Sequence, residues 1–334
     1  SRSWPSPITP DVKAIQGLGG LPEVSLLLLI TIGAGYLFFI LATTSTLIQS
    51  WYVASIGASP YFLYRISNFG SLLAVFSYPF LIEPNLKLIT QGKLWFLGFI
   101  FFSLLLLLLV IKISPKKSKR RGQSYLDLRP ESRSKAWLLL SVVPTFVMLS
   151  FTNHFTQGVS PVPFLWLLPL LLYLLSFILG FKEKLLGGWL VSYMTFSFLV
   201  MTVALRTFEK LGVSNLLTQI ILYSGLLFFI STLSHHLLYK LRPNSKFLSG
   251  FYLIVTLGGV IGGFLVGIAI PNIFNDLWEV ELSLILSALL FIFILYKKPE
   301  LMSSFLYKFK DQATSFILSV VIVLLALPPF IFYR

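Results

Sequence analysis

Two sets of side chains in this sequence have the types and spacing to handle a solute, and a histidine pair raises the question of a metal. In TNHFTQGVSPVPFLWLLPL, residues 152–170, Asn153, His154 and Gln157 stand close together between two apolar runs, followed by Pro161, Pro163 and Pro169. Such polar groups either cap helix ends and satisfy terminal amides and carbonyls, or form the polar rim of a cavity open to one side of a membrane. Pro161 and Pro163 suit the start of a helix, where the missing donor goes unused. Pro169 lies deeper and is expected to kink its helix, exposing a carbonyl near mid-membrane. The second set is Arg65, Asn68 and Ser71, which share one helix face at i, i+3 spacing. An arginine among apolar residues snorkels to the headgroups, joins a hydrogen-bond network, or holds an anion or lipid headgroup. Arg65, Asn68, Ser71, Asn153, His154 and Gln157 are therefore the candidate substrate-binding residues.

The adjacent His235 and His236 point apart by about 100° on a helix. One metal ion would favour i, i+4 spacing, and the chain has no cysteine. They read as interfacial histidines, and no metal site is expected. All twelve acidic residues fall in expected loops or at helix ends. Buried carboxylates usually pair with cationic solutes or relay protons, so this placement argues against polyamine export and proton drive. It also leaves no acid/base pair for hydrolysis. No catalytic set and no cofactor are expected, and an enzyme acting on lipid-linked substrates ranks last among the readings.

The elements that must position these groups are membrane helices. Hydrophobic residues make up 56% of the chain and charged residues 11%, with a mean hydropathy of +0.87; a soluble domain carries about 25% charged residues. Apolar runs of bilayer-spanning length recur throughout. The pattern predicts ten helices at 24–48, 60–82, 94–113, 136–152, 161–181, 188–206, 215–239, 247–270, 282–296 and 314–333. Around them lie a polar segment 1–23 and a basic linker 114–135, dividing the membrane part into helices 1–3 (24–113) and helices 4–10 (136–334).

Charge sets the expected orientation. With the linker on the cytoplasmic side, the loops there hold eighteen lysines and arginines against seven on the other side, and Arg65 lies within a span. That is a positive-inside distribution. Trp51, Trp95, Trp137, Trp189 and Trp278 fall near helix ends, as an interfacial belt requires. The net charge of +14 is thus mainly a topology signal, with some attraction to anionic lipid, and nucleic acid is not expected as a partner. The N-terminal segment is placed outside the cytoplasm.

Two further patterns bear on architecture. Gly258, Gly259, Gly262, Gly263 and Gly267 form three overlapping GxxxG pairs on helix 8, expected either to pack another helix closely or to form a sliding contact between moving halves. Phe62, Ser67 and Gly70 in the first hairpin correspond to Phe251, Thr256 and Gly259, each 189 residues later. Six helices separate the copies, so both run the same way, as in a parallel six-helix repeat. That repeat implies about three helices upstream of Ser1.

The stretches SPYFLYRISNFGSLLAVFSYPFLIEP (59–84), TNHFTQGVSPVPFLWLLPLLLYLLSFILGF (152–181) and FYLIVTLGGVIGGF (251–264) resemble, in order, the membrane region of bacterial fused major-facilitator/spermidine-synthase proteins. The resemblance implies an all-α, major-facilitator-like fold in a bacterial inner membrane. Relatives typically carry three helices ahead of this region, and many add a soluble synthase-like domain after it. No such domain follows here, so aminopropyl transfer has no site in this sequence. Relatives often show Cys-His-Gly-Glu-Leu where this chain reads Ser234-His235-His236-Leu237-Leu238. Two functions stay open: a transporter of a small neutral, anionic or lipid-like solute, or a non-catalytic membrane scaffold or subunit docking a separate synthase-like partner. A mid-membrane polar cavity would favour the first, and a solid bundle with a broad apolar flank the second. Besides the bilayer, the expected partners are such a protein or the upstream helices.

Overall fold

The computed structural model describes residues 28, 30–31, 35–112, 133–158, 164–185, 187–210, 212–213, 215–244, 247–274, 278–297, 311–317 and 319. The N-terminal segment 1–23, nearly all of the linker 114–135, Pro161, Pro163 and most of the expected helix 314–333 lie outside the described residues. Among the described residues the fold is entirely helical. Its chain order is α1 (Tyr36–Ile56), α2 (Tyr61–Ser77), α3 (Leu88–Lys112), α4 (Ser134–Asn153), α5 (Leu167–Gly180), α6 (Gly188–Lys210), α7 (Leu216–Lys240), α8 (Leu248–Phe264) and α9 (Glu279–Lys297). A short turn Ile270–Ile273 continues α8 beyond a π-helical stretch, and residues 311–317 are also helical.

Among the described residues, six helical stretches are long and apolar enough to cross a membrane: Leu88–Lys112, Ser134–Gln157, Gly188–Glu209, Leu216–Lys240, Leu248–Ile273 and Glu279–Tyr296. The protein is a multi-pass membrane protein. Contacts divide the chain into one unit of Ser1–Ser67 with Leu73–Ser124, and a second of Asn68–Leu72 with Tyr125–Arg334.

In the first unit α1 ends at Gly57, whose φ of 75° lets its amide return to the Val53 carbonyl. Apolar side chains of this unit are widely exposed, among them Phe38, Phe69, Leu97 and Leu104.

The second unit is a packed bundle with α4 at its centre, flanked by α5, α7, α8 and α9. Its core draws Leu140, Val147 and Phe151 from α4, Leu226 and Ile230 from α7, Phe251 from α8 and Phe291 from α9. Between α4 and α8 the backbones nearly touch. A Cβ added to Gly258 would lie 2.6 Å from the Ser141 Cβ, and one on Gly262 would lie 3.0 Å from the Val142 carbonyl. Gly259 and Gly263 have only ordinary contacts with Thr145 and Leu149, and a Cβ on Gly267 meets nothing within 4 Å.

Some element boundaries differ from the sequence reading for local reasons. α3 starts at Leu88 rather than 94, because residues 88–93, with the polar Thr90, Gln91 and Lys93 among them, continue the helix ahead of the apolar stretch. α5 starts at Leu167, after a turn in which Phe164 has a φ of 63°. Pro169 is thus the third residue of α5. It sits in the first turn, where its absent N–H costs nothing, so the expected mid-membrane kink is corrected. The proline inside a helix is Pro144 of α4, which the sequence reading passed over.

Candidate functional site

The ends of α4 and α6 and the beginnings of α7 and α9 meet at one end of the second unit, because successive helices run in opposite directions. Each brings a polar group. α4 passes into a π-helical turn, His154–Gly158, a widened geometry that recurs at functional positions, and His154 opens it. α6 carries Arg206 and Glu209 one turn apart. α7 is capped by Asn215, whose side chain accepts from the Thr218 amide at 2.8 Å, and two turns in it presents Tyr223. α9 begins with Glu279 and Glu281 in its first turn. The backbone dipoles favour Glu279 and Glu281 at a helix start and Arg206 at a helix end, and oppose Glu209 at the end of α6, which Arg206 and Tyr223 compensate.

The side chains form one buried network. Arg206 donates from Nε and Nη2 to Glu281 Oε1 at 3.0 and 2.9 Å, and from Nη1 to Glu209 Oε2 at 3.0 Å. The Tyr223 hydroxyl donates to the same Glu209 oxygen at 2.8 Å. Asn153 Nδ2 approaches Glu279 Oε1 at 3.5 Å. His154 Nε2 faces Glu209 Oε1 at 3.8 Å, within ion-pair reach but beyond a hydrogen bond, and neither atom has a hydrogen-bond partner among the described residues. The side chains of His154, Glu209 and Glu281 are 8%, 7% and 7% exposed, and that of Arg206 is 16%. The Tyr223 ring, fully buried, packs against both Phe151 and His154, with centroids 4.8 and 4.7 Å away.

Burial of unbalanced charge is costly. Here Glu209 and Glu281 share one guanidinium, with Glu279 beside them. His154 is the one further group in the network able to gain positive charge. The arrangement suits the holding or exchange of a small positive charge. Among the described residues, no group of three or more histidine or acidic side chains is placed to hold a metal ion.

This network alters one inference from sequence. Glu209, Glu279 and Glu281 do lie at helix ends, yet neighbouring helices bury them. The argument against cation or proton handling, which assumed solvated acids, therefore loses its ground. Sequence reasoning named Asn153 and His154 but missed Arg206, Glu209, Tyr223, Glu279 and Glu281. A signal was present: Arg206 and Glu209 share a helix face, and the expected topology puts both on the same side as His154 and the start of α9.

Gln157 is exposed. On α2, Arg65 and Asn68 are half-buried and Ser71 is exposed. His235 and His236 are buried rather than interfacial, because α5 and α7 approach closely at Gly180, where an added Cβ would lie 2.7 Å from the Thr232 carbonyl. His235 Nδ1 bonds Ser176 Oγ at 2.9 Å with its ring stacked on Phe177, and His236 Nδ1 lies 3.1 Å from the Gly180 carbonyl. The two rings thus serve separate contacts between α5 and α7.

Compared with known proteins, the chain matches no family model, no curated protein and no solved structure.

Proposed function

We propose that this multi-pass protein is a major-facilitator-like transporter of a small neutral, anionic or lipid-like solute, with the Arg206–Glu209–Glu281–His154 network as its charge-handling centre. The supporting observation is the burial of that network at the junction of α4, α6, α7 and α9. Charged groups in membrane-spanning helices are expensive and mark paths for solutes, ions or protons. On this reading the carboxylates serve coupling rather than contact with an anion. The likeness of residues 59–84, 152–181 and 251–264 to the fused major-facilitator/spermidine-synthase membrane region, and the six-helix repeat, belong to the same proposal.

The test is uptake into proteoliposomes of a panel of labelled neutral and anionic solutes and a fluorescent phospholipid. Wild type should move one of them, and Glu209→Gln should reduce that flux to background while the protein stays folded. Equal flux in both, or none in wild type, would reject transport centred on this network.

A second reading is favoured by α3. Over its most apolar stretch no residue is buried, which suits a non-catalytic subunit offering an apolar flank while its basic linker docks a synthase-like partner. Partner capture that depends on the linker charges, together with absent flux, would select it.

A further inference from the structure

We infer that His154 and Glu209 form a proton-binding site: the pair holds one exchangeable proton, and that proton ties the end of α4 to α6. Three observations carry it. The first is geometry. His154 Nε2 and Glu209 Oε1 face each other at 3.8 Å with no hydrogen-bond partner for either atom among the described residues. Two side chains more than nine-tenths buried are thus aimed at one another without a bond between them. The second is the commitment of the surrounding donors. Arg206 gives Nε and Nη2 to Glu281 Oε1 and Nη1 to Glu209 Oε2, and Tyr223 gives its hydroxyl to the same Glu209 Oε2. Glu209 Oε1 is left facing the imidazole.

The third observation is charge. Among the described residues, the titratable and charged groups around His154 are Arg206 and Glu209 on α6, Tyr223 on α7, and Glu279 and Glu281 on α9. Glu209 and Glu281 both bond the Arg206 guanidinium, and an imidazolium at His154 would set a second positive charge against Glu209. Glu279 keeps the amide of Asn153 and the start of α9 as its counterparts. A proton fits this gap better than a metal ion, which would require ligands beyond these two.

The chemistry is a simple transfer. Hydronium gives a proton to the unprotonated ring nitrogen, so that an N–H bond forms, an O–H bond breaks and water is left, and no bond between heavy atoms changes. With both ring nitrogens protonated, Nε2 donates toward Glu209 Oε1, whichever nitrogen carried the hydrogen before. Closing the gap to hydrogen-bond length draws the π-helical turn at the end of α4 onto α6. Release of the proton removes the positive charge of the ring and returns repulsion among the carboxylates.

The inference rests on the reading of this network as the charge-handling centre and specifies its ligand. The chain has three histidines, so the measurement is direct. The full chain, labelled with ¹⁵N-histidine and embedded in lipid nanodiscs, is followed by solid-state NMR of the ring nitrogens from about pH 8 to about pH 5.5. Signals are assigned with single His→Gln variants. His154 should change from imidazole to imidazolium across this range. In Glu209→Gln its ratio of protonated to neutral form at a given pH should fall at least about tenfold, the loss expected on removing an opposite charge at this distance. A wild-type His154 that stays neutral throughout overturns the inference, and so does a smaller fall in the variant. Should the variant fail to fold, the wild-type titration decides alone. No solute is present, so a protein that binds this proton yet moves nothing would keep the site and lose the transport reading.

Discussion

α3 and α4 are both long, apolar helices, with 25 and 20 residues, yet their surroundings are opposite. Over the most apolar stretch of α3 no residue is buried, whereas 61% of the corresponding stretch of α4 is. Composition explains the difference. From Phe96 to Ile111, α3 is almost wholly Leu, Ile, Phe and Val. α4 intersperses Ser141, Thr145, Ser150 and Thr152. Lipid tails are as apolar as leucine, so greasy surface alone gives two membrane helices no reason to associate. Small and hydroxyl-bearing residues do. Ser141 sits where Gly258 of α8 has no side chain, and Thr145 Oγ1 lies 3.0 Å from the Tyr173 hydroxyl of α5. Hydrophobicity gives a helix the capacity to span; small and polar residues let it build an interior.

This contrast is open to attack by substitution. The largest effect is expected in the bundle's charged end. Arg206→Ala leaves Glu209 and Glu281 without their shared counter-charge and should destabilise the protein by about 3–5 kcal/mol, read as a lowered thermal midpoint in detergent. A loss below about 1 kcal/mol would mean the network is hydrated, like an ordinary surface pair.

Next comes a charge placed on the bare helix. Leu104, 54% exposed on α3, replaced by arginine should raise the insertion free energy by about 2.5–3.5 kcal/mol if α3 faces lipid. Glycosylation mapping of membrane insertion measures this. Insertion as efficient as wild type would show that α3 does not meet hydrocarbon there.

The smallest effect distinguishes two glycines of one helical run. Gly258→Ala presses a methyl into Ser141 and the α4 backbone and should cost about 1–3 kcal/mol. Gly267→Ala meets open space and should leave stability unchanged or higher by up to about 1 kcal/mol. Equal thermal midpoints for the two variants would refute the close approach of α4 and α8.

Much of the helical layout is legible in the residues. The run expected at 215–239 is observed as Leu216–Lys240, and that at 188–206 as Gly188–Lys210, extended by the polar turn that holds Arg206 and Glu209. Prolines and π-helical turns are less legible. Pro169 reads as a kink until the start of α5 at Leu167 puts it in the first turn. Nothing in HFTQG announces the widened turn that opens with His154. The candidate site is half legible: His154 and Asn153 stand out as polar residues among apolar ones, whereas Glu209, Glu279 and Glu281 look like ordinary solvated helix ends.

Apolar length and scarcity of charge, properties of contiguous residues, determine by themselves that this chain forms long membrane-crossing helices. Which helices are lined with neighbours, and which charged ends lie covered, only the tertiary structure decides. Glu209 and Glu281 stand 72 positions apart in the chain. Their common burial around Arg206 follows from four helix ends meeting in space, and no local pattern encodes that meeting.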